Sequence, residues 1–281
     1  MSEALALRPA RRSQALPGFG PSLGLTVFVV TVLVAIPLGG LFAKAASLSG
    51  AHMIALLSSP RALAAFRLSF GLALAAAIFN GVAGLLIAWV LERYDFPGRR
   101  FFNAAVDLPF ALPTAVAGIA LTALYADDGL IGAPLAQLGI AVSFTPLGIF
   151  LALVFVGLPY TIRIIQPVLD DVARDAEEAA LTLGAGSAQI FARVILPQLL
   201  PAVLTGAAMA FARGVGEYGS VIFIAGNMPG VSEIVPLLIV IRLEQFDYPG
   251  AALLGAAMLV GSLAVLLCLN LVATRLGRRN G

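Results

Sequence analysis

Charge is what this chain has least of. Only 11% of its 281 residues are Asp, Glu, Lys or Arg, where a soluble domain carries about a quarter. Sixty per cent are hydrophobic and the mean hydropathy is +1.00, so the chain is an integral membrane protein. Lysine occurs once, as Lys44, and Ala43 precedes it. A P-loop needs Gly-x-x-x-x-Gly-Lys-Ser/Thr, so ATP hydrolysis by that route is excluded. Histidine also occurs once, as His52 in an expected loop. That rules out His-x-x-x-His metal pairs and leaves His52 as an ordinary surface residue. The one cysteine, Cys268, lies in an apolar run, so no internal disulfide can form. No soluble domain or internal repeat stands out, and the net charge of +2 says little about partners. Work done by this chain must be powered from outside, by an ion gradient or by an ATPase partner.

Long apolar runs are what the chain does have. A run of ~20 uncharged residues crosses the ~30 Å hydrocarbon core as a helix, because backbone polar groups must be satisfied inside lipid. Such runs occur at 21–43, 68–91, 108–126, near 143–162, near 198–225 and at 250–274, giving six expected transmembrane helices in an all-α fold. Arg8, Arg11 and Arg12 before the first run imitate a signal peptide. The run of 23 residues is too long for an h-region of about 7–15 residues, so it is expected to be a retained span. The expected organisation is an N-terminal tail at 1–20, a permeation domain at 21–274 and a C-terminal tail at 275–281.

Basic residues set the orientation. Twelve of the seventeen flank one side (Arg8, Arg11, Arg12, Arg93, Arg99, Arg100, Arg163, Arg174, Arg193, Arg275, Arg278 and Arg279). Lys44, Arg61, Arg67 and Arg242 flank the other, and Arg213 falls within a span. The arginine-rich side is expected to be cytoplasmic, with both termini on it. The short basic loop from Glu92 to Arg100 reads as an anchor, and Ala126-Asp-Asp-Gly reads as a turn on the outer side. The apolar stretch Ile234–Ile241 is too short to span. It is either an interfacial or re-entrant helix or a helix buried under loops.

One loop on the arginine-rich side, 167–197, departs from the apolar background. Leu169, Val172, Ala176, Ala180 and Leu183 fall on one stripe of a 3.6-residue helix, and the acids between them lie mostly off it. Pro167 suits a first helical turn and Gly184 a left-handed stop. Ser187 is placed to cap a second short helix, which Pro197 is expected to limit. Two further clusters lie in spans. Arg213-Gly-Val-Gly-Glu217-Tyr-Gly-Ser220 puts a charge pair at i and i+4 within the membrane, either lining a pathway or bracing the bundle. Asp107-Leu-Pro-Phe-Ala-Leu-Pro-Thr114 is either a packing kink or a source of freed backbone donors beside the Thr114 hydroxyl.

Glu178-Ala179-Ala180, Gly184, Val194 and Leu196-Pro197 stand in the register of the EAA loop, and here the chain resembles the ABC-importer permeases. The usual isoleucine is replaced by Val194. Asp107–Tyr125, Gly216–Pro229 and Ser232–Ile239 are similar to the T-type sulfate/thiosulfate permeases, over nearly the whole chain. The resemblance implies a type I ABC-importer permease architecture in a bacterial inner membrane. It also implies that Glu178, Ala179, Ala180, Gly184, Leu196 and Pro197 form the ATPase-coupling loop. Implied partners are a second homologous permease subunit, a cytoplasmic ATPase dimer carrying ATP and Mg, an extracytoplasmic sulfate-binding protein and membrane lipid. No cofactor on this chain and no nucleic acid are expected, and the chain is not itself an enzyme. Arg213, Glu217, Thr114 and Asn227 are the candidate pathway or gate. A molybdate or tungstate permease shares part of these patterns. An ion-coupled secondary anion carrier using Arg213 and Glu217 is the alternative from another class, and a membrane-embedded enzyme is disfavoured by the lack of histidine and ligand clusters.

Overall fold

The computed structural model describes residues 19–172 and 174–279, and all regular structure among them is helical. In chain order the helices are α1 (Phe19–Ala45), α2 (Gly50–Leu57), α3 (Pro60–Arg93), α4 (Arg99–Ala105), α5 (Leu108–Ala111) and α6 (Thr114–Tyr125). They continue with α7 (Gly132–Gln137), α8 (Pro146–Asp171), α9 (Arg174–Thr182), α10 (Ser187–Val215), α11 (Val221–Ala225), α12 (Val235–Glu244) and α13 (Tyr248–Arg279). Five of them, α1, α3, α8, α10 and α13, are long and apolar enough to cross a membrane, and α6 is a shorter apolar helix.

The centre is a three-helix stack of α3, α8 and α10, built on small residues. The buried stripe of α3 is Ala62, Ala65, Ser69, Ala73, Ala76, Ala77, Asn80, Gly81, Gly84, Ala88 and Leu91. Helices in lipid gain little from apolar burial and associate through close packing, which small side chains permit. A Cβ on Gly84 would come within 2.7 Å of the Thr161 methyl, and one on Gly206 within 2.9 Å of Thr161 Cα. The Thr161 hydroxyl donates to the Gly206 carbonyl at 3.2 Å, stitching α8 to α10. The pairs Asn80–Gly157, Gly84–Thr161 and Gly214–Leu153 show that α3 and α8 run parallel with α10 antiparallel to them.

Prolines decide where the expected spans differ from the observed helices. The third expected span, 108–126, is split at Leu112-Pro113 into α5 and α6, because the residue before a proline is pushed out of helical geometry. Pro197 was expected to end a short helix, but α10 continues through it to Val215. The segment Phe191–Ile195 just before it is a π-turn in which the Leu196 N–H donates to the Phe191 carbonyl. That wider turn makes room for a ring that would clash with a carbonyl four residues back. The same device, at Thr31–Ala35, precedes Pro37 in α1.

Pro167 does not start the coupling helix. It lies inside α8, which runs to Asp171, and the break falls at Val172 instead. The expected continuous stripe from Leu169 to Leu183 is therefore shared between two helices. The fifth expected span stops at Gly216 rather than at Ala225. Charged Arg61 and Arg67, expected in a loop, are in the first turns of α3, and α13 extends beyond residue 274 to Arg279. The stretch at 234–241 lies almost wholly in α12, whose Val235, Leu237 and Leu238 are buried against α3 and α13 rather than under loops. Most of the expected N-terminal tail, 1–18, lies outside the described residues, as do 280–281.

Candidate functional site

The 167–197 loop folds as a bent pair of helices over an apolar floor. Leu169 and Val172 from the end of α8 meet Ile190, Ile195 and Leu199 of α10, with Trp89, Ala180, Ala185 and Phe191 packed around them. α9 has nine residues and rests on this floor through Ala180. It stops at Gly184, whose φ of +81° is the left-handed conformation that glycine adopts without penalty. The Ala185 N–H donates to the Ala180 carbonyl at 3.0 Å and the Gly184 N–H to the Leu181 carbonyl at 2.9 Å, so these two carbonyls at the end of α9 are satisfied. Ser187 does not cap the second helix. It is the first helical residue, and the Gly186 N–H is satisfied by the Gln189 side-chain oxygen at 3.2 Å.

The outer face of this loop is exposed. Glu178 and Ala179 face solvent, and Leu181 and Leu183 are 56% and 88% exposed. Of the expected coupling residues, Glu178, Ala179, Ala180 and Gly184 thus form one compact knob. Leu196 and Pro197 lie instead where the π-turn passes into the rest of α10, as part of the shaft beneath it. Leu181 in the last turn of α9 and Leu183 just past it form an exposed apolar spot.

Sequence reading missed what holds the knob. Glu177 accepts a hydrogen bond from the Arg93 guanidinium at 2.7 Å. Arg93 lies over the ring of Trp89 at 5.5 Å, and Trp89 meets Phe191 edge-to-face at 5.3 Å. A basic residue ending a span, opposite a loop rich in acids, was the available signal. Nearby, Arg163 donates to both oxygens of Asp107 at 2.8 and 2.6 Å, and to Asn103 and Gln166. Gln166 in turn donates to Glu92 at 2.8 Å. This network ties α3, α4 and α8 at the end of the bundle that carries the knob.

The second expected constellation lies where α10 ends. Arg213 and Glu217 form the expected ion pair, with very unequal exposure: 33% for the Arg213 side chain and 2% for that of Glu217. The Glu217 carboxylate also accepts from the Ser220 N–H and hydroxyl, each at 3.0 Å. The negative member is thereby locked inside the protein while the positive member reaches the surface. α6 presses against this turn: a Cβ on Gly219 would lie 2.1 Å from the Thr114 hydroxyl oxygen, and one on Gly118 2.4 Å from the Ser220 carbonyl. Thr114 therefore joins the Arg213–Glu217 turn. Asn227 does not. It lies beyond the end of α11 with φ +47°, its side-chain oxygen buried without a hydrogen-bond partner among the described residues.

Residues 80–281 match the model of a family described as binding-protein-dependent transport system inner membrane components. The sulfate transport system permease protein CysT of Escherichia coli (strain K12) is 45% identical over 264 residues, covering 94% of this chain and 95% of that one. The protein of the same name in Synechococcus elongatus is 48% identical over 252 residues, covering 90% and 91%. The probable sulfate transport system permease protein cysT of Nephroselmis olivacea is 50% identical over 246 residues, covering 88% and 87%. Among solved structures, a bacterial ABC transporter involved in the import of the acidic polysaccharide alginate shares the fold, with a TM-score of 0.76 at 15% identity over 91% of this chain and 94% of that one. The same holds for the bacterial alginate transporter in complex with an alginate pentasaccharide-bound periplasmic protein, with a TM-score of 0.72 at 17% identity over 92% and 93%.

Proposed function

The chain belongs to the binding-protein-dependent transport system inner membrane components, and from that footing we propose that it is the membrane-spanning subunit of an ATP-driven sulfate and thiosulfate importer. The observation that carries this reading is the Glu178 knob: a glycine-turned helix pair with exposed Leu181 and Leu183, resting on an apolar floor at one end of the bundle. Such a knob fits a groove on a second protein, and a chain without a P-loop needs a second protein to hydrolyse ATP. The sulfate specificity rests on relatives 45–50% identical over most of their length.

In this reading a cytoplasmic ATPase dimer, carrying ATP and Mg, receives the knob. A second homologous permease subunit completes the pathway, and an extracytoplasmic binding protein delivers the anion to the opposite end. Both termini are cytoplasmic, in a bacterial inner membrane, and this chain holds no cofactor of its own. Arg213 faces the pathway. Glu217 behind it cancels its charge, so a doubly charged anion meets guanidinium N–H donors and the Thr114 hydroxyl without falling into a deep electrostatic trap. Alternating access follows when the ATPases draw the two knobs together and apart.

The test is co-purification and competition. A tagged chain expressed with its neighbouring subunits is expected to retain the ATPase, and Leu183→Asp is expected to release it. Uptake suppressed by unlabelled thiosulfate supports the substrate, whereas uptake suppressed by molybdate and indifferent to thiosulfate overturns it.

A further inference from the structure

A helix of nine residues has little stability alone, so α9 takes its position from what it touches. Its chain connection to α8 is broken at Val172, and its connection to α10 is a glycine turn. Sideways, among the described residues, the Arg93–Glu177 ion pair at 2.7 Å is the polar bond that ties it to a span. Arg93 is fixed from two directions. Its guanidinium lies over the Trp89 ring and bonds Glu177. Only 14% of the Arg93 side chain and 23% of that of Glu177 are exposed. Neighbouring residues on a helix point ~100° apart. Glu177 accordingly faces the spans while Glu178 faces outward, so a force on the outward face reaches α3 through Glu177, beside the apolar contact that Ala180 makes with the floor.

What receives that force is a long helix with no interior break. Arg93 is the last residue of α3, whose 34 residues make a rod of ~51 Å at ~1.5 Å per residue. α8 carries Pro159 and Pro167 inside, and α10 carries Pro201 and a π-turn. α3 carries its one proline at its first position, so no proline interrupts its hydrogen-bond ladder. At the other end of the rod, Arg61 holds the buried Glu233 through two hydrogen bonds, at 2.8 and 2.6 Å, and the Ser69 hydroxyl accepts from the Val235 N–H at 2.8 Å. Those contacts grip α12. Two arginines, one at each end of a single helix, thus clamp the knob and the helix at the opposite face.

We propose that α3 is a connecting rod, with Arg93–Glu177 the joint that passes movement of the coupling knob along it to α12. The inference rests on the importer reading above. Arg93 and Glu177 are positioning residues: neither touches the transported ion or the nucleotide.

The experiment uses the complete complex in proteoliposomes, with its ATPase subunits and binding protein, and counts labelled sulfate ions carried per ATP hydrolysed. Wild-type uptake is measured first, and its absence would defeat the importer reading before any variant is tested. Arg93→Gln is expected to keep hydrolysing ATP while carrying at least about fivefold fewer ions per ATP. The exchange R93E/E177R is expected to recover most of the loss, which assigns the loss to the pair itself, while ATP hydrolysis kept in assembled Arg93→Gln is what a merely structural contact would not give. A fluorophore on F246C in a C268S background reports the far end, and its ATP-dependent change is expected to vanish in Arg93→Gln and return in the exchange. Arg93→Gln with the wild-type ratio, or an exchange no better than Arg93→Gln, overturns the proposal. If Arg93→Gln does not assemble, Glu177→Gln decides: an assembled complex with a lowered ratio of ions per ATP supports the joint, and a wild-type ratio or a failure to assemble rules it out.

Discussion

Arg61 and Glu233, 172 residues apart in sequence, are joined by two hydrogen bonds in the parallel fork-to-fork arrangement that gives arginine–carboxylate pairs their strength. The Glu233 side chain is 1% exposed, whereas that of Arg61 is 43% exposed. The two partners are therefore not equivalent under mutation. Arg61→Ala strands a buried carboxylate, and breaking a buried pair costs up to about 3–5 kcal/mol, less here because one side reaches the surface. Glu233→Gln leaves a neutral amide that still accepts, beside an arginine free to turn outward. Thermal unfolding of the detergent-purified chain is expected to show a larger loss for Arg61→Ala than for Glu233→Gln.

The Arg213–Glu217 turn separates a pathway role from a bracing role through a double substitution. Arg213→Gln alone leaves Glu217 without its counter-charge, so loss of uptake there is ambiguous. In R213Q/E217Q both charges go, and Ser220 keeps an acceptor. That double variant is expected to assemble at wild-type yield and carry no sulfate. Uptake at the wild-type rate would make the pair a brace.

Gly118 and Gly71 should respond oppositely to one added methyl group. At Gly118 the methyl carbon meets the Ser220 carbonyl at 2.4 Å and Ser220 Cα at 2.8 Å, both backbone atoms that cannot turn aside. At Gly71 it meets nothing within 4 Å. Gly118→Ala is expected to cost about 1–3 kcal/mol of stability and to lower uptake by shifting α6 off the Glu217 turn. Gly71→Ala is expected to leave both unchanged, as measured by melting temperature and initial uptake rate.

At Gly184 the constraint is conformational, because a side chain there has open space but φ is +81°. Asparagine visits the left-handed region more readily than other residues and β-branched residues hardly at all. Gly184→Asn is expected to retain most of the uptake and Gly184→Val to lose it, with membrane insertion intact in both. Equal uptake in the two would show that the turn is not needed.

The spans and the knob were legible in the sequence because each follows from local chemistry. Apolar runs of ~20 residues can only be buried in lipid, and Gly184 ends a helix wherever its neighbours place it. Arg213 and Glu217 were legible for the same reason, being four apart on one helix. Prolines misled: Pro167 and Pro197 looked like boundaries, yet α8 absorbs one and a π-turn accommodates the other. A one-dimensional pattern cannot tell a proline that breaks a helix from one whose freed carbonyl finds room. The long-range partners, Arg93 with Glu177 and Arg61 with Glu233, were missed for a different reason: an acidic loop opposite Arg93 hinted at a partner without saying which one. Each pairing is set by how α3 packs in the bundle, which single-chain periodicity does not encode.

The most direct measurement is accumulation of labelled sulfate in proteoliposomes holding this chain with its second permease subunit, ATPase and binding protein. Uptake that requires ATP, stops on omission of the binding protein and is suppressed by thiosulfate is the predicted result. An assembled complex that accumulates sulfate equally without ATP, or follows an imposed ion gradient instead, would contradict it.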